Sequence, residues 1–345
     1  MEYRQLGKSG LRVSRLGLGA MTFGMPKWGC DEGTAASLID RYLEAGGIFI
    51  DTADGYGISE EICGRALAGR RSKVVLSTKF GLPIAQQGVN GCGASRKHIR
   101  ESCEASLERL QTDYIDLYHV HMEDLDTPLE ETLAALDDLV RAGKVLYLGV
   151  SNFRSYRLMK AIAISERRGY ARIASLQAQY NLVVRAMERE HFALLHEERL
   201  GFVSWSPLAA GLLTGKFKDG APPPDTRLQQ RSFEADQLFL NEQGLRVAQV
   251  VAQVAAELSC SSAQLALAWQ LNRPEVDAVI IGARTLRQLD DNLACQQLNL
   301  TPEIMARIEA PGALTPEYPG AFIETFRRWM RTVRRGGADS QRSGS

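Results

Sequence analysis

Short apolar runs alternate with longer amphipathic segments along most of the chain. The apolar runs lie near residues 15–19, 47–51, 74–78, 115–120, 145–150, 174–179, 201–205 and 278–282. Each run is short and largely apolar, which is typical of a strand that is covered on both faces. The pattern therefore predicts eight parallel strands.

The segments between the runs have the period of amphipathic helices. Residues 32–44 and 96–110 each place apolar side chains on one face. Residues 128–141 do the same, with Thr127 as the expected N-cap and Pro128 in the first turn. Strands alternating with helices predict an α/β fold, and eight strands close a single (β/α)8 TIM barrel. A doubly wound open sheet is the alternative.

Two regions and the chain end depart from this repeat. Residues 3–7 and 11–14 predict a β-hairpin that plugs the N-terminal mouth of the barrel. A long proline-containing loop is expected over 217–236, where a loop of this length is more often functional than incidental. We expect one barrel domain with extra C-terminal helices over 1–330 and a disordered tail over 331–345.

Polar residues stand at or just after the downstream ends of the predicted strands. Tyr56 follows the second strand closely, and the strand ends themselves carry Asp51, Lys79, His121, Ser151 and Asn152. Because the carboxyl ends of barrel strands meet at one face, these side chains should converge in one pocket. Such a set suits a carbonyl reductase.

A phenol could supply the proton that a reduced carbonyl oxygen needs. Bringing tyrosine from a pKa of about 10 toward 7 requires roughly 4 kcal/mol. A lysine ammonium at about 4 Å supplies that amount at an effective dielectric constant near 20. Lys79 is therefore expected to tune Tyr56, Asp51 to hold Lys79, and His121 to orient the carbonyl oxygen or donate within this network.

Composition excludes several classes of partner. The 345 residues include 41 basic and 41 acidic side chains, so no overall charge favours nucleic acid or a membrane surface. No apolar stretch reaches the length of a membrane helix, and no signal peptide is apparent. Six scattered cysteines without metal-ligand spacing predict free thiols and a cytoplasmic protein.

Seven motifs, taken in order, resemble those of the aldo-keto reductases. They cover residues 51–57, 76–80, 116–121, 149–153, 177–182, 204–216 and 281–284, and the resemblance extends over roughly residues 3 to 300. It implies a cytosolic (β/α)8 barrel that transfers hydride between NADPH and a small carbonyl substrate without a metal. In that family the four positions matching Asp51, Tyr56, Lys79 and His121 are catalytic.

The resemblance also implies a cofactor site. Ser151, Asn152 and Gln177 should bind the nicotinamide carboxamide, and Trp205 takes the place of an aromatic ring, more often tyrosine, that packs against the nicotinamide. Met21 should lie beside cofactor and substrate. The stretch expected along the pyrophosphate contains Ser206, Pro207, Leu208, Gly211, Thr214 and Lys216.

No GxGxxG motif is present for the adenosine end of a dinucleotide. Instead, one helical face is expected to carry Arg284, Gln288, Asp291 and Asn292. Arg284 suggests the 2′-phosphate of NADPH rather than NADH. Some relatives carry a lysine where this chain has Gly282, and Arg227 is a further candidate for the adenosine phosphate.

Substrate identity is not specified by the sequence. Apolar walls beside Tyr56 and His121 are expected from Met21, Trp28, Phe80 and Met122. The resemblance is to bacterial branches that reduce sugar aldehydes, keto-sugars, pyridoxal and xenobiotic ketones. Whether the chain forms a homo-oligomer is left open.

Two other functions stay open. His119 and His121 form an HxH pair on one strand face, as in barrel metallohydrolases, although the other histidines lie in helical patterns. A potassium-channel beta subunit, which holds NADPH as a sensor and turns over slowly, would carry the same motifs.

Overall fold

The computed structural model describes residues 1–84, 88–217 and 239–334. The chain divides into two compact units, Met1–Gly312 and Ala313–Ser345. The first unit contains the predicted strands and most of the helices.

Eight parallel strands form a closed barrel in the first unit. They are β3 (Leu16–Gly19), β4 (Phe49–Asp51), β5 (Val75–Phe80), β6 (Ile115–Val120), β7 (Val145–Ser151), β8 (Ile173–Gln179), β9 (Gly201–Trp205) and β10 (Ala278–Ile281). Neighbours along the chain pair with each other, and β10 pairs with β3 to close the barrel. The predicted (β/α)8 barrel is confirmed, and the open-sheet alternative is wrong.

The helices follow the predicted periodicity. In chain order they are α1 (Glu32–Glu44), α2 (Ser59–Ala66), α3 (Arg96–Leu110), α4 (Leu129–Arg141), α5 (Ser155–Arg168), α6 (His191–Glu198), α7 (Glu242–Glu257), α8 (Ser262–Leu271), α9 (Leu286–Ala294), α10 (Pro302–Glu309) and α11 (Gly320–Arg334). One predicted cap is wrong, because Pro128 occupies the N-cap of α4 and Thr127 donates its hydroxyl to Asp124 instead.

The predicted N-terminal hairpin is present and packs against the barrel interior. Strands β1 (Tyr3–Gln5) and β2 (Arg12–Ser14) pair antiparallel. Leu6 and Val13 are fully buried in a cluster with inward-facing residues of the lower barrel, namely Phe49, Val75, Leu117, Val203, Ala278 and Ile280. The hairpin therefore plugs the N-terminal mouth with apolar side chains.

Glycine makes room for an imidazole in the upper barrel. Gly149 on β7 pairs with His119 on β6. A Cβ atom at Gly149 would lie 2.3 Å from the His119 ring, closer than any non-bonded contact allows. The absence of a side chain on β7 thus lets the His119 ring occupy the barrel interior.

Helix α11 extends to Arg334, so residues 331–334 of the predicted tail are helical. The rest of that tail lies outside the described residues, as does nearly all of the predicted 217–236 loop. The domain limits therefore stay a prediction. Among the described residues no single helix has the length and hydropathy to cross a membrane. Helices α7 and α8 meet both criteria only when they are taken together, and they are bent by 99° relative to each other.

The hairpin contact gives a stability prediction. Leu6→Ala should lower the free energy of unfolding by about 2–5 kcal/mol, because it opens a cavity in a buried apolar cluster. Leu146→Ala removes the same atoms from a side chain that is 46% exposed and should change stability by no more than about 0.5 kcal/mol. Urea unfolding midpoints would measure both, and equal midpoints would show that the hairpin does not seal the barrel.

Candidate active site

A buried ion pair lies at the C-terminal end of the barrel. Asp51 is the last residue of β4 and Lys79 lies near the end of β5, with side chains 4% and 1% exposed. Lys79 Nζ is 2.5 Å from Asp51 Oδ2 and donates a second hydrogen bond, of 2.8 Å, to the Thr52 carbonyl oxygen. The strand alternation that points both side chains inward brings the predicted carboxylate and ammonium together.

Further donors hold the Asp51 carboxylate. Ser77 Oγ donates to Asp51 Oδ1 at 3.0 Å, and Gln177 Nε2 donates to the same oxygen at 2.9 Å. A buried carboxylate is tolerated when its lone pairs are satisfied in this way. Gln177, expected at the carboxamide, therefore also belongs to the charged cluster.

The structure brings Tyr56 and His121 to the same cluster. Lys79 Nζ lies 5.1 Å from the centre of the Tyr56 ring and hydrogen-bonds the Tyr56 side chain. The Tyr56 and His121 rings meet edge to face, with centroids 5.7 Å apart. The four side chains expected to be catalytic are thus neighbours at one end of the barrel.

The cluster sets the charges of its members. Burial acts to lower the pKa of Lys79, but the charge and hydrogen bonds of Asp51 and Tyr56 outweigh it and raise that pKa above its ordinary value. Burial, reinforced by the Lys79 charge, lowers the pKa of His121 to about 3. At neutral pH the site therefore holds an ammonium beside an uncharged imidazole.

A second polar layer, which the sequence analysis missed, lies next to the ion pair. His119 is fully buried, with Nδ1 3.2 Å from Ser77 Oγ and Nε2 3.4 Å from Ser175 Oγ. Because Ser77 gives its proton to Asp51, it can only accept from His119, which assigns the His119 proton to Nδ1. Burial keeps the pKa of His119 well below its ordinary value, so its imidazole is uncharged. The sequence did contain a signal for this layer, because Ser77 lies two residues before Lys79 on β5 and must therefore also point into the barrel.

The amides expected at the nicotinamide form a connected rim. Asn152 Nδ2 donates to the His121 carbonyl oxygen and to Ser151 Oγ, each at 3.0 Å. The Trp205 indole N–H donates to Asn152 Oδ1 at 3.1 Å. Trp205 is half-buried, so part of its ring stays accessible at the barrel mouth.

The segment after β9 has an irregular backbone. Ser206, Ala209, Ala210 and Gly211 have positive φ angles of 54°, 48°, 52° and 103°. Non-glycine residues adopt this conformation at a cost, and such strain is often found at binding sites. The Pro207 carbonyl oxygen accepts a hydrogen bond, and the Thr214 hydroxyl donates one. Leu208 is half-buried and Lys216 is exposed.

The residues predicted to form the adenosine face lie just before α9 and along it. Arg284 precedes the N-cap of α9, Thr285, so it lies before the helix rather than on its face, and its backbone N–H donates to Gln288 Oε1 at 2.8 Å. Asp291 accepts hydrogen bonds from two residues at the start of α8, Ser261 and Gln264. Asn292 is buried and binds the Gly282 carbonyl oxygen.

Gly282 itself is exposed, with open space around it. A Cβ atom placed there would have no neighbour within 4 Å. Arg227 lies outside the described residues.

One expected substrate wall is wrong. Phe80 is fully buried and stacks on Tyr118, with centroids 4.9 Å apart, and its other ring neighbour is His98 of α3. Consecutive strand residues point to opposite faces, so the inward Lys79 turns Phe80 outward. Met21 lies in a short 3-10 helix directly after β3, whereas Trp28 and Met122 lie in the loops that follow β3 and β6. Met122 is 53% exposed.

The metallohydrolase alternative finds no support in the part of the chain that the structure describes. There, no group of three or more histidine, cysteine, aspartate or glutamate side chains is placed to hold a metal ion. His119 is bound by two serine hydroxyls instead.

Proteins of known name match nearly the whole chain. A Bacillus subtilis protein named uncharacterized oxidoreductase YrpG is 40% identical over 92% of this chain and 99% of its own length. A rice protein named probable voltage-gated potassium channel subunit beta is 39% identical over 90% of this chain and 96% of its own. Versiconal hemiacetal acetate reductase of Aspergillus parasiticus is 33% identical over 93% of this chain and 99% of its own.

The family comparison agrees with the geometry. The model of the aldo/keto reductase family matches residues 15–312, which include the whole barrel. This match confirms the resemblance that the motifs indicated, and the chain belongs to the aldo/keto reductase family.

Proposed function

We propose that this protein reduces an aldehyde or ketone to the alcohol, reversibly, with NADPH as the cofactor. The observation that carries the proposal is the buried Lys79–Asp51 pair beside the Tyr56 phenol and the neutral His121 imidazole. That arrangement provides a proton source and a stable positive charge at one point of the barrel mouth.

The four side chains have separate tasks in this reaction. When bound, NADPH supplies the hydride. Tyr56 gives its phenolic proton to the carbonyl oxygen, and the Lys79 ammonium stabilises the phenolate that remains. Asp51 keeps Lys79 protonated and in place.

The uncharged imidazole of His121 donates a hydrogen bond to the carbonyl oxygen of the substrate and so orients it. A neutral imidazole has one N–H group. Nδ1 is buried without a hydrogen-bond partner among the described residues, so we assign the proton to Nε2. An uncharged donor polarises the carbonyl without placing a second cation beside Lys79.

The rim residues fit the nicotinamide end of the cofactor. Ser151 Oγ accepts from Asn152 and keeps its own proton to donate to a carboxamide oxygen. Asp51 takes one N–H of Gln177, and the amide has a second N–H and a carbonyl oxygen. The accessible face of Trp205 offers a surface for ring stacking.

The phosphates fit the segment from Ser206 to Lys216 and the residues before α9. Gly211 has no side chain and open space around it, so a phosphate can approach the backbone closely, and the exposed Lys216 adds positive charge. Arg284 stands at the N-terminal end of α9, where a helix favours anions, and its guanidinium suits the 2′-phosphate of NADPH.

A regulatory function is the second candidate, favoured by the name of the rice relative. A subunit of that kind would bind NADPH but turn over slowly. A steady-state NADPH-oxidation screen across aldoses, pyridoxal, aromatic aldehydes, diketones and cyclic ketones separates the two candidates. Rapid turnover on any of them supports the reductase, whereas tight NADPH binding without turnover supports the sensor.

Removing one hydroxyl tests the proton donor. Tyr56→Phe should lower kcat by at least about 100-fold, since general acid catalysis supplies about 10²–10⁴-fold, while the Kd for NADPH changes little. Tyr118→Phe is the matched control, because the buried Tyr118 hydroxyl has no hydrogen-bond partner in the described structure. Full activity of Tyr56→Phe would contradict the assignment.

The charge of His121 makes a prediction about pH. Since burial lowers its pKa to about 3, His121 stays neutral from pH 5 to 8 and gives kcat/KM no titration in that range. His121→Asn should lower activity but leave the shape of the pH profile unchanged. A step near pH 6.5 that is present in the wild type and absent from the variant would show that His121 is charged in the folded protein.

Arg284 should select the phosphorylated cofactor. Arg284→Ala should weaken NADPH binding by about 1–3 kcal/mol, as expected for a charged hydrogen-bond partner, and leave NADH binding nearly unchanged. Arg287→Ala removes an exposed arginine from the first turn of α9 as a control. Isothermal titration with both cofactors measures the effect, and equal losses for NADPH and NADH would remove Arg284 from the 2′-phosphate.

A further inference from the structure

Helix α11 carries its apolar side chains on one exposed face. Residues four and seven apart share a helix face, and here they are aromatic or aliphatic. The set is 41–62% exposed and consists of Phe322, Ile323, Phe326, Trp329, Met330 and Val333. No residue of this helix is buried.

Ring contacts organise this face. The Phe322 and Phe326 centroids lie 4.6 Å apart, and Phe326 meets Trp329 edge to face at 6.2 Å. The aromatic residues therefore form a continuous strip along the helix. Exposed apolar surface of this kind marks an interaction site in a folded protein.

The remaining faces of α11 are basic. Residues 320–334 contain four arginines and one glutamate, a net charge of +3 within a chain whose overall charge is zero. Glu324 pairs with Arg327 at 3.2 Å. Arg327 and Arg334 are seven residues apart and border the apolar face on one side, whereas Arg328 and Arg331 lie opposite it.

We propose that α11 binds the surface of an anionic phospholipid bilayer, with its aromatic strip in the headgroup region and with Arg327 and Arg334 on the lipid phosphates. A helix with a strongly apolar face, a basic polar face and aromatic residues lies in the plane of a membrane interface. Such a helix does not span the bilayer, so the proposal agrees with the finding that no single described helix could cross one.

Charge and area favour lipid over a second copy of the chain. Two α11 helices packed on their apolar faces would bring basic side chains of like charge together. A helix of 15 residues is about 22 Å long, and a strip about 10 Å wide on it is far smaller than the roughly 800 Å² that each partner buries in a stable complex. A lipid surface has no such minimum area and supplies the opposite charge.

Sedimentation of the full chain with vesicles tests the proposal. The protein should bind vesicles of phosphatidylcholine with phosphatidylglycerol, release from them in high salt, and bind phosphatidylcholine alone weakly. Arg327→Gln with Arg334→Gln should weaken binding roughly 25-fold, because each basic residue near an anionic surface contributes about fivefold. Arg167→Gln with Arg168→Gln removes two exposed arginines from α5 as the matched control and should have no effect.

Trp329 reports on the apolar face. Its fluorescence should shift to the blue on anionic vesicles, and Trp329→Phe should lose this shift while still binding. Trp329→Ser should weaken binding, whereas Tyr156→Ser, at a residue 60% exposed on α5, should not. Reductase activity of the variants should stay unchanged.

Three results would overturn the proposal. The first is absence of vesicle binding, and the second is equal binding to charged and neutral vesicles. The third is a dimer, measured by analytical ultracentrifugation, that Trp329→Ser dissociates in a chain that does not bind vesicles. That result would assign the face to a second copy.

Discussion

The buried ion pair between Lys79 and Asp51 is the interaction on which the site depends. Removing two charges from water costs several kcal/mol per ion, and their attraction offsets this only when the remaining lone pairs and protons are satisfied. Here Ser77 and Gln177 satisfy Asp51, and the Thr52 carbonyl oxygen satisfies Lys79. These residues lie in or directly after β4, β5 and β8, so the pair is stable only once these strands have come together in the barrel.

The two ends of the barrel interior differ in polarity: the N-terminal end is apolar, and the C-terminal end is polar. At the N-terminal end, apolar residues such as Phe49 and Leu117 pack against Leu6 of the hairpin and exclude water. At the other end, His119 and the ion pair form a polar layer whose groups are bonded to one another. The two layers share the same strands, because alternate inward positions change from apolar to polar toward the C-terminal end.

Local pattern predicted most of the fold, but not which long-range contact each side chain makes. Helices α1 and α3 match the predicted bounds because their periodicity and serine or aspartate caps are local signals. Phe80 was misplaced, since its neighbour Lys79 takes the inward position. Asp291 shares a helix face with Gln288, but its hydrogen bonds to Ser261 and Gln264 could not be predicted from that spacing. The link from Ser77 to His119 requires the register between two strands, which sequence spacing does not provide.

The open space around Gly282 lies apart from the residues proposed for proton transfer. A longer side chain fits there without repacking, because an added Cβ meets no atom within 4 Å. Gly282 follows β10, whereas the residues proposed for proton transfer lie at or just after the C-terminal ends of β4, β5 and β6. In the proposed reductase, a single substitution at Gly282 would therefore redirect the protein from one cellular pool of reducing equivalents to another and leave the acid–base residues intact.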